Sequence, residues 1–362
     1  MRVVMLSWRG PSHPRRGGAE VYTLRVLAGL VERGHEVSWY SAGYSGLKPS
    51  EVSGIRLYYG WRGLWVYLSG HRWLRKQDVG NYDLVIDQIN TFGFGAPQTK
   101  HQTVCLIHQL ATDVWDAEVH WPMNVIGRWL ERRVLRLYSD VPFMTMCQST
   151  IDEMHEWGWR GIGMVTPTGI DKIFNVPKAR VPVLSFLGRF DAKAKRLDHA
   201  LAIHQRVMES YPDCELWVIG RGKVPRQLVN QENVKVLANV NDDERDHALG
   251  TAWCCIATSV REGWGRMVTE SGAARTPTVG YDVPGLRDSI LDGQTGMLVA
   301  ESIDDAASAI ISLLQRPEEL SRLGDNAQFV AGSVTWKTSV DRFEEALLFV
   351  SGGSAAACSP HS

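Results

Sequence analysis

Two short stretches in the C-terminal half carry residue types suited to a phosphorylated sugar. The first is Glu262-Gly263-Trp264-Gly265-Arg266-Met267-Val268-Thr269-Glu270, directly after the apolar run Trp253 to Thr258. Strand, glycine loop and helix is the implied order. Gly263 and Gly265 allow the backbone to approach a ligand closely, and the N–H groups of the following helix start can face an anion. Glu262 precedes that helix and Glu270 lies about a turn and a half inside it, so both carboxylates can point into one cleft, where they suit vicinal hydroxyls. Two isolated acids so placed also read as a helix cap and a solvated face residue. The second stretch is Gly188-Arg189-Phe190, followed by Lys195, after the apolar run Val183 to Leu187. A guanidinium at the carboxyl end of a strand lies where open α/β sheets bind their ligands. With Lys195 it could neutralise a diphosphate, an attraction that grows as the sugar–phosphate bond breaks. Lys193 and Arg196 flank Lys195, so a solvated basic turn gives the same local sequence.

Holding such groups at strand ends requires sheets covered by helices. Short apolar runs alternate with segments of helical period in both halves, the pattern of parallel sheets with helices on both faces. Strands are expected near 2–8, 36–41, 55–59, 83–88, 103–108, 142–147 and 163–166, then near 183–187, 215–219, 234–237, 253–258 and 278–281. The clearest helix follows Gly17-Gly18 and runs to Arg33, with Val21, Leu24, Leu27, Ala28 and Val31 on one stripe and Gly34 as its stop. Pro167, Pro177 and Pro182 mark a linker. The expected class is α/β with two doubly wound, Rossmann-like domains. The first spans 1–175, with a late helix over 336–349 packing back on it; the second spans 180–335, and a disordered tail covers 351–362.

A chain of 362 residues can hold two separate cores, and 44% hydrophobic with 22% charged residues is ordinary for soluble globular proteins. A net charge of -1 argues against nucleic acid as a partner. Arg2 to Lys76 nevertheless holds 12 basic residues against four acidic ones, which makes one end of the first domain electropositive. The six cysteines show neither a CxxC pair nor zinc spacing and read as buried thiols of a reducing compartment. The N-terminus lacks a signal-peptide pattern and no run of about 18 apolar residues follows, so a cytoplasmic location is expected.

The spacing Glu-x7-Glu around a Gly-aromatic-Gly loop, with Gly-Arg-x5-Lys upstream, resembles the retaining family 4 glycosyltransferases of GT-B fold. Gly17-Gly18-Ala19-Glu20 is similar to the family's first-loop glycine pair, His108 to its first-domain histidine, and Pro167-Thr168-Gly169-Ile170-Asp171 to its linker. Trp217 to Gly222, Thr276 to Val279, Pro284 to Leu286 and Asp292 to Val299 match in order, so that the resemblance covers residues 1 to 349. It implies two Rossmann-like domains facing across a cleft. It also implies transfer of a hexose-type sugar from a UDP- or GDP-sugar, with retention and without a divalent metal or other cofactor. By the same resemblance Arg189 and Lys195 bind the donor diphosphate and Glu270 the ribose hydroxyls. Glu262 and the backbone of Gly263, Trp264 and Gly265 position the sugar, with His108 reaching it from the other domain. Gly17 and Gly18 let the first loop approach the phosphate. Thr168, Trp264, Arg275 and Gln109 depart from the family's commoner residues.

The first-domain loops are expected to surround the acceptor, a lipid-linked, saccharide or natural-product hydroxyl. Trp115, His120 and Trp121 there can stack on a sugar ring or serve as packing residues. Trp61 to Lys76 mixes tryptophans, leucines and basic residues, which suits either peripheral contact with an anionic membrane or a buried helix with a basic edge. A nucleotide-sugar-binding protein without chemistry and a GT-B-fold nucleotide-sugar epimerase are the competing functions.

Overall fold

The protein is described by a computed structural model over residues 1–14, 16–46, 49–229 and 231–352. The tail from 353 on, with Cys358, lies outside the described residues. The chain forms two compact units: Met1–Ala111, Ile126–Gly169 and the chain from Trp336 onward make the first, Thr112–Val125 and Ile170–Thr335 the second.

The first unit is built on an eight-stranded sheet of β1 (Arg2–Leu6), β2 (Glu36–Ala42), β3 (Glu51–Val52), β4 (Ile55–Gly60), β5 (Leu84–Ile89), β6 (Thr103–Ile107), β7 (Phe143–Thr145) and β8 (Gly163–Val165). Its order is β3-β4-β2-β1-β5-β6-β7-β8, parallel except where β3 meets β4. Val3 to Leu6 in the middle of the sheet are wholly buried, which is why the run is continuously apolar rather than alternating. The helices are α1 (Gly18–Glu32), α2 (Trp65–Arg75), α3 (Thr112–Glu118), α4 (Met123–Leu135) and α5 (Gln148–Glu156), followed in the second half by α6 (Leu197–Met208), α7 (Asp242–Thr251), α8 (Arg266–Ala273), α9 (Leu286–Ser289), α10 (Ile303–Leu314), α11 (Pro317–Ser333) and α12 (Trp336–Val350). α12 belongs to the first unit: a Cβ on Gly29 of α1 would lie 2.4 Å from Val340, so the two helices touch backbone to side chain. Arg33 pairs there with Asp341 and Glu344.

The second unit has a six-stranded sheet of β9 (Val183–Leu187), β10 (Glu215–Gly220), β11 (Val234–Ala238), β12 (Cys254–Ala257), β13 (Thr278–Tyr281) and β14 (Gly296–Val299), all parallel, in the order β11-β10-β9-β12-β13-β14. Leu184, Phe186, Val218, Ile256 and Val279 from its strands meet Ile203, Leu286, Ile310 and Leu313 from its helices in one core. Both units are therefore Rossmann-like.

The expected strands are all present, and two more join them. β3 is only two residues long, and β14 is half-exposed beyond Gly296, so neither carries a run of buried apolar residues. Residues 112–125, expected with the first domain, group with the second unit because α3 is bonded to its loops, as described below. Cys105, Cys147, Cys214, Cys254 and Cys255 are buried free thiols. Among the described residues no helix is long and apolar enough to cross a membrane.

Candidate active site

In the second unit the chain builds outward from β9 through β10 to β11, then returns to the other side of β9 and builds β12 to β14. The reversal falls between β9 and β12. These neighbours pair only at Leu184 with Cys254 and Ser185 with Cys255, so their carboxyl ends part beyond that point. Such a parting opens the crevice in which open α/β sheets take ligands. The loop after β9 carries Arg189 and Lys195; the loop after β12 carries Glu262 to Gly265 and leads into α8.

Main-chain and hydroxyl bonds tie the two loops together. The N–H of Val260 donates to the carbonyl of Ala194 at 2.9 Å, and the Thr258 hydroxyl to the carbonyls of Lys195 and Arg196 at 2.8 and 3.0 Å. Across this join Lys195 Nζ forms an ion pair with Glu262, whose Oε1 also accepts from the buried Ser259 hydroxyl at 2.6 Å. Lys195 and Glu262 keep 26% and 13% of their side-chain exposure, so the pair is shielded yet reachable. Arg189 is not part of it. Its Nε donates to Asp191 at 3.0 Å, and the side chain is 56% exposed.

Gly265 starts α8 in the left-handed region, at φ 76, which frees the first N–H groups of the helix to face the crevice. Trp264 is anchored on that helix by its indole N–H, which donates to the Thr269 hydroxyl at 2.8 Å. Inside α8, Glu270 accepts from Arg266 at 2.8 Å and keeps 15% of its exposure. A further cation, Arg245 of α7, faces it electrostatically: burial works against the Arg245 charge, but Glu270 and the neighbouring Asp246 and Asp242 more than restore it. The Glu262 loop is also set from downstream. The N–H of Glu262 donates to Pro284 at 3.0 Å, and Gly285, at φ 83, lies so close that a Cβ there would sit 2.1 Å from the Glu262 carbonyl oxygen.

α3 lies against the same two loops. Asp113 accepts from Nε of the buried Arg261 at 2.9 Å, and Glu118 accepts from the N–H of Ala194 at 3.0 Å. Trp115 on α3 is half-buried, whereas His120 and Trp121 beyond it are exposed, Trp121 to 80%.

The first unit has its own reversal, between β1 and β5. Gly17 caps α1 after β1, and its N–H donates to Glu20 at 2.5 Å, with Gly18 opening the helix. At the end of β5, buried Asp87 accepts from the N–H groups of Phe94 and Ala96 at 2.9 and 3.1 Å and from the Tyr138 hydroxyl at 2.9 Å. Burial raises its carboxyl above the usual range while these bonds pull it down. The next residue, Gln88, takes a hydrogen bond from Thr23 at 3.4 Å and directs its amide nitrogen to His108 Nε2 at 2.8 Å. An amide nitrogen only donates, so Nε2 accepts and the ring proton sits on Nδ1. Tyr22 stands edge-on to the ring at 5.5 Å, and desolvation pulls the His108 pKa down to about 4, which keeps it neutral.

Of the residues expected from the sequence, the structure joins Lys195 to Glu262 directly. It places Arg189, Gly263, Trp264, Gly265 and Glu270 at the same strand ends of the second unit, and Gly17, Gly18 and His108 in the first. Sequence reading missed Ser259, Arg245, Gln88, and the Arg261–Asp113 and Ala194–Glu118 bonds. Gln88, the two α3 bonds and the approach of Arg245 to Glu270 depend on partners distant in the chain, whereas Ser259 bonds Glu262 three residues on; the polar Asp87-Gln88 ending a buried strand was the visible signal.

Comparison with known proteins agrees with this architecture. The family model described as "Glycosyl transferases group 1" matches residues 170–329, and that described as "Glycosyltransferase Family 4" matches residues 16–172. A phosphatidyl-myo-inositol mannosyltransferase of Propionibacterium freudenreichii subsp. shermanii is 25% identical over 343 residues, 85% of this chain and 84% of that one. Among solved structures, a sucrose-phosphate synthase from Thermosynechococcus elongatus is similar with TM-score 0.78 and 18% identity over 98% of this chain and 100% of that one. Anabaena HepE in complex with UDP-glucose is similar with TM-score 0.73 and 15% identity over 96% and 99%. Two parallel Rossmann-like sheets, a glycine loop at the second reversal and these matches lead to one conclusion: the chain belongs to the family 4 glycosyltransferases of GT-B fold.

Proposed function

We propose that the enzyme moves a hexose-type sugar from a UDP- or GDP-sugar to a hydroxyl of a lipid-linked, saccharide or natural-product acceptor, with retention of configuration and without a metal. The observation that carries this is the Lys195–Glu262 pair standing across the joined loops at the β9/β12 reversal, on the loop that leads into α8. An ammonium and a helix N-terminus at one crevice suit a departing diphosphate, and a carboxylate beside them suits sugar hydroxyls. In this reading Arg189 and Lys195 take the diphosphate, Glu270 the ribose and Glu262 with Gly263 to Gly265 the sugar. His108 contributes a neutral ring to the sugar, and Gly17 and Gly18 let the first loop reach the phosphate. Trp115, His120 and Trp121 belong to the acceptor side. The leaving phosphate oxygen accepts the acceptor's proton on the face from which it departs, so no acidic nucleophile is required.

A UDP-glucose complex among the structural neighbours and a mannosyltransferase acting on phosphatidyl-myo-inositol among the relatives support the donor class and a lipid acceptor. A membrane acceptor also fits contact of residues 61–77 with an anionic surface, where Trp61, Leu64, Trp65 and Leu68 are exposed. The test is nucleoside diphosphate release from a panel of UDP-, GDP-, ADP- and dTDP-sugars in excess EDTA. Release with one donor that persists in EDTA is expected. Binding without release would favour a sensor, and an epimerised sugar an epimerase; loss of release in EDTA would overturn the metal-free step.

A further inference from the structure

α4 and the turn that continues it through Tyr138 hold four arginines, Arg128, Arg132, Arg133 and Arg136, against a single acid, Glu131. The acid is turned inward: it is buried, and its carboxylate accepts from the N–H of Ala111 at 2.9 Å. The outward side mixes cations with large apolar groups. Ile126, Trp129 and Leu137 are 47%, 60% and 60% exposed, and helical spacing puts them on one side with Arg133, whose guanidinium lies 5.6 Å from the Trp129 ring. Arg132 and Arg136, one turn apart, border a cavity of about 200 Å³ that Met154, Glu156, Trp157 and Trp159 also line. Arg132 lies over the Trp157 ring at 4.9 Å.

Water is a poor neighbour for three large apolar side chains on one helix face, and the charged side chains that α4 and its continuing turn direct outward beside them are arginines, with Glu156 across the cavity from Arg132 and Arg136. A tryptophan with aliphatic side chains and a row of arginines is the composition that enters the headgroup boundary of an anionic bilayer. We propose that this outward face of α4 and its continuing turn docks on an anionic lipid bilayer. Ile126, Trp129 and Leu137 enter the boundary, and Arg132, Arg133 and Arg136 meet lipid phosphates. The surface is separate from residues 61–77 and stands whether or not that segment touches lipid.

The test is flotation of the full chain at low salt with vesicles of phosphatidylcholine alone or mixed with phosphatidylglycerol. Binding to the mixed vesicles only, and its release by salt, are expected. Arg132→Gln, Arg133→Gln and Arg136→Gln combined should lower partitioning about 100-fold. Ile126→Ser, Trp129→Ser and Leu137→Ser combined should lower it at least about tenfold, while the thermal shift on adding UDP or GDP stays unchanged. Wild-type flotation by both combinations overturns the proposal, as does a wild-type chain that binds neither vesicle. Loss confined to a Trp65→Ser, Leu68→Ser variant would place docking at residues 61–77 and overturn this surface alone. Self-association that is lost with Trp129→Ser, without vesicle binding, would make the face a contact between copies and overturn it equally.

Discussion

At the reversal in the second unit the polar groups are charged and partnered, Lys195 with Glu262, Arg189 with Asp191 and Glu270 with Arg266. At the corresponding end of the first sheet His108 is held neutral by desolvation and by the amide of Gln88. The contrast suits two tasks. A group that grips a diphosphate must keep its charge, and its protein partners hold it in place at the cost of competing with the ligand. Arg189 is lightly committed, since its pair is well exposed and such pairs contribute little. Lys195 is shielded and held by Glu262, which the Ser259 hydroxyl fixes in turn, so it is the preset member. A neutral ring needs no counter-charge, only a fixed tautomer.

The sharpest way to break this division is Lys195→Ala, which should lower turnover by about 100- to 1,000-fold while weakening nucleoside diphosphate binding much less. Steady-state diphosphate release set beside calorimetric titration decides it, and equal losses in both would sink the assignment. Glu270→Ala should weaken UDP or GDP binding by about 10- to 100-fold, and the loss should vanish with a 2′,3′-dideoxy nucleotide. Gln88→Leu should leave that binding intact and lower turnover by about tenfold or less, because it only frees the His108 ring. An affinity change of the same size would show that the first unit's polar pair is not independent of the charged site.

The smallest effect concerns stability. The folded His108 pKa of about 4 lies below the ordinary 6.5, so the unfolded chain takes up the proton first as pH falls. The resulting stability is complete above 6.5 and is lost through the window down to 4. Wild type should lose about 1 kcal/mol more than His108→Gln between pH 6 and pH 5. Urea unfolding at the two pH values measures it, and parallel slopes would mean that the ring is not desolvated.

Much of this was legible because it is local. Strands buried on both faces announce themselves as apolar runs, as Val183 to Leu187 does, and the glycine loop with its two glutamates is contiguous. Arg189 and Lys195 were readable for the same reason. β3 and β14 were not, being short or half-exposed. The pairing of Lys195 with Glu262 could be framed from the sequence only as two separate clamps, because it depends on β12 returning beside β9. Arg245 and Gln88 acquire meaning from neighbours that folding supplies, Glu270 and His108, whereas Ser259 bonds Glu262 within one loop and was missed because a serine after a strand is common. The bonding of α3 to the second unit's loops runs against chain order, which alone assigns it to the first.

The near-contact at Gly285 extends sensitivity to mutation beyond the Glu262 loop itself. Even a methyl group at 285 must push the carbonyl of Glu262 aside, because a Cβ there would sit 2.1 Å from that oxygen. The height of the Glu262 loop is therefore fixed from a residue 23 positions downstream, and a change at Gly285 reaches that loop without altering any residue in it.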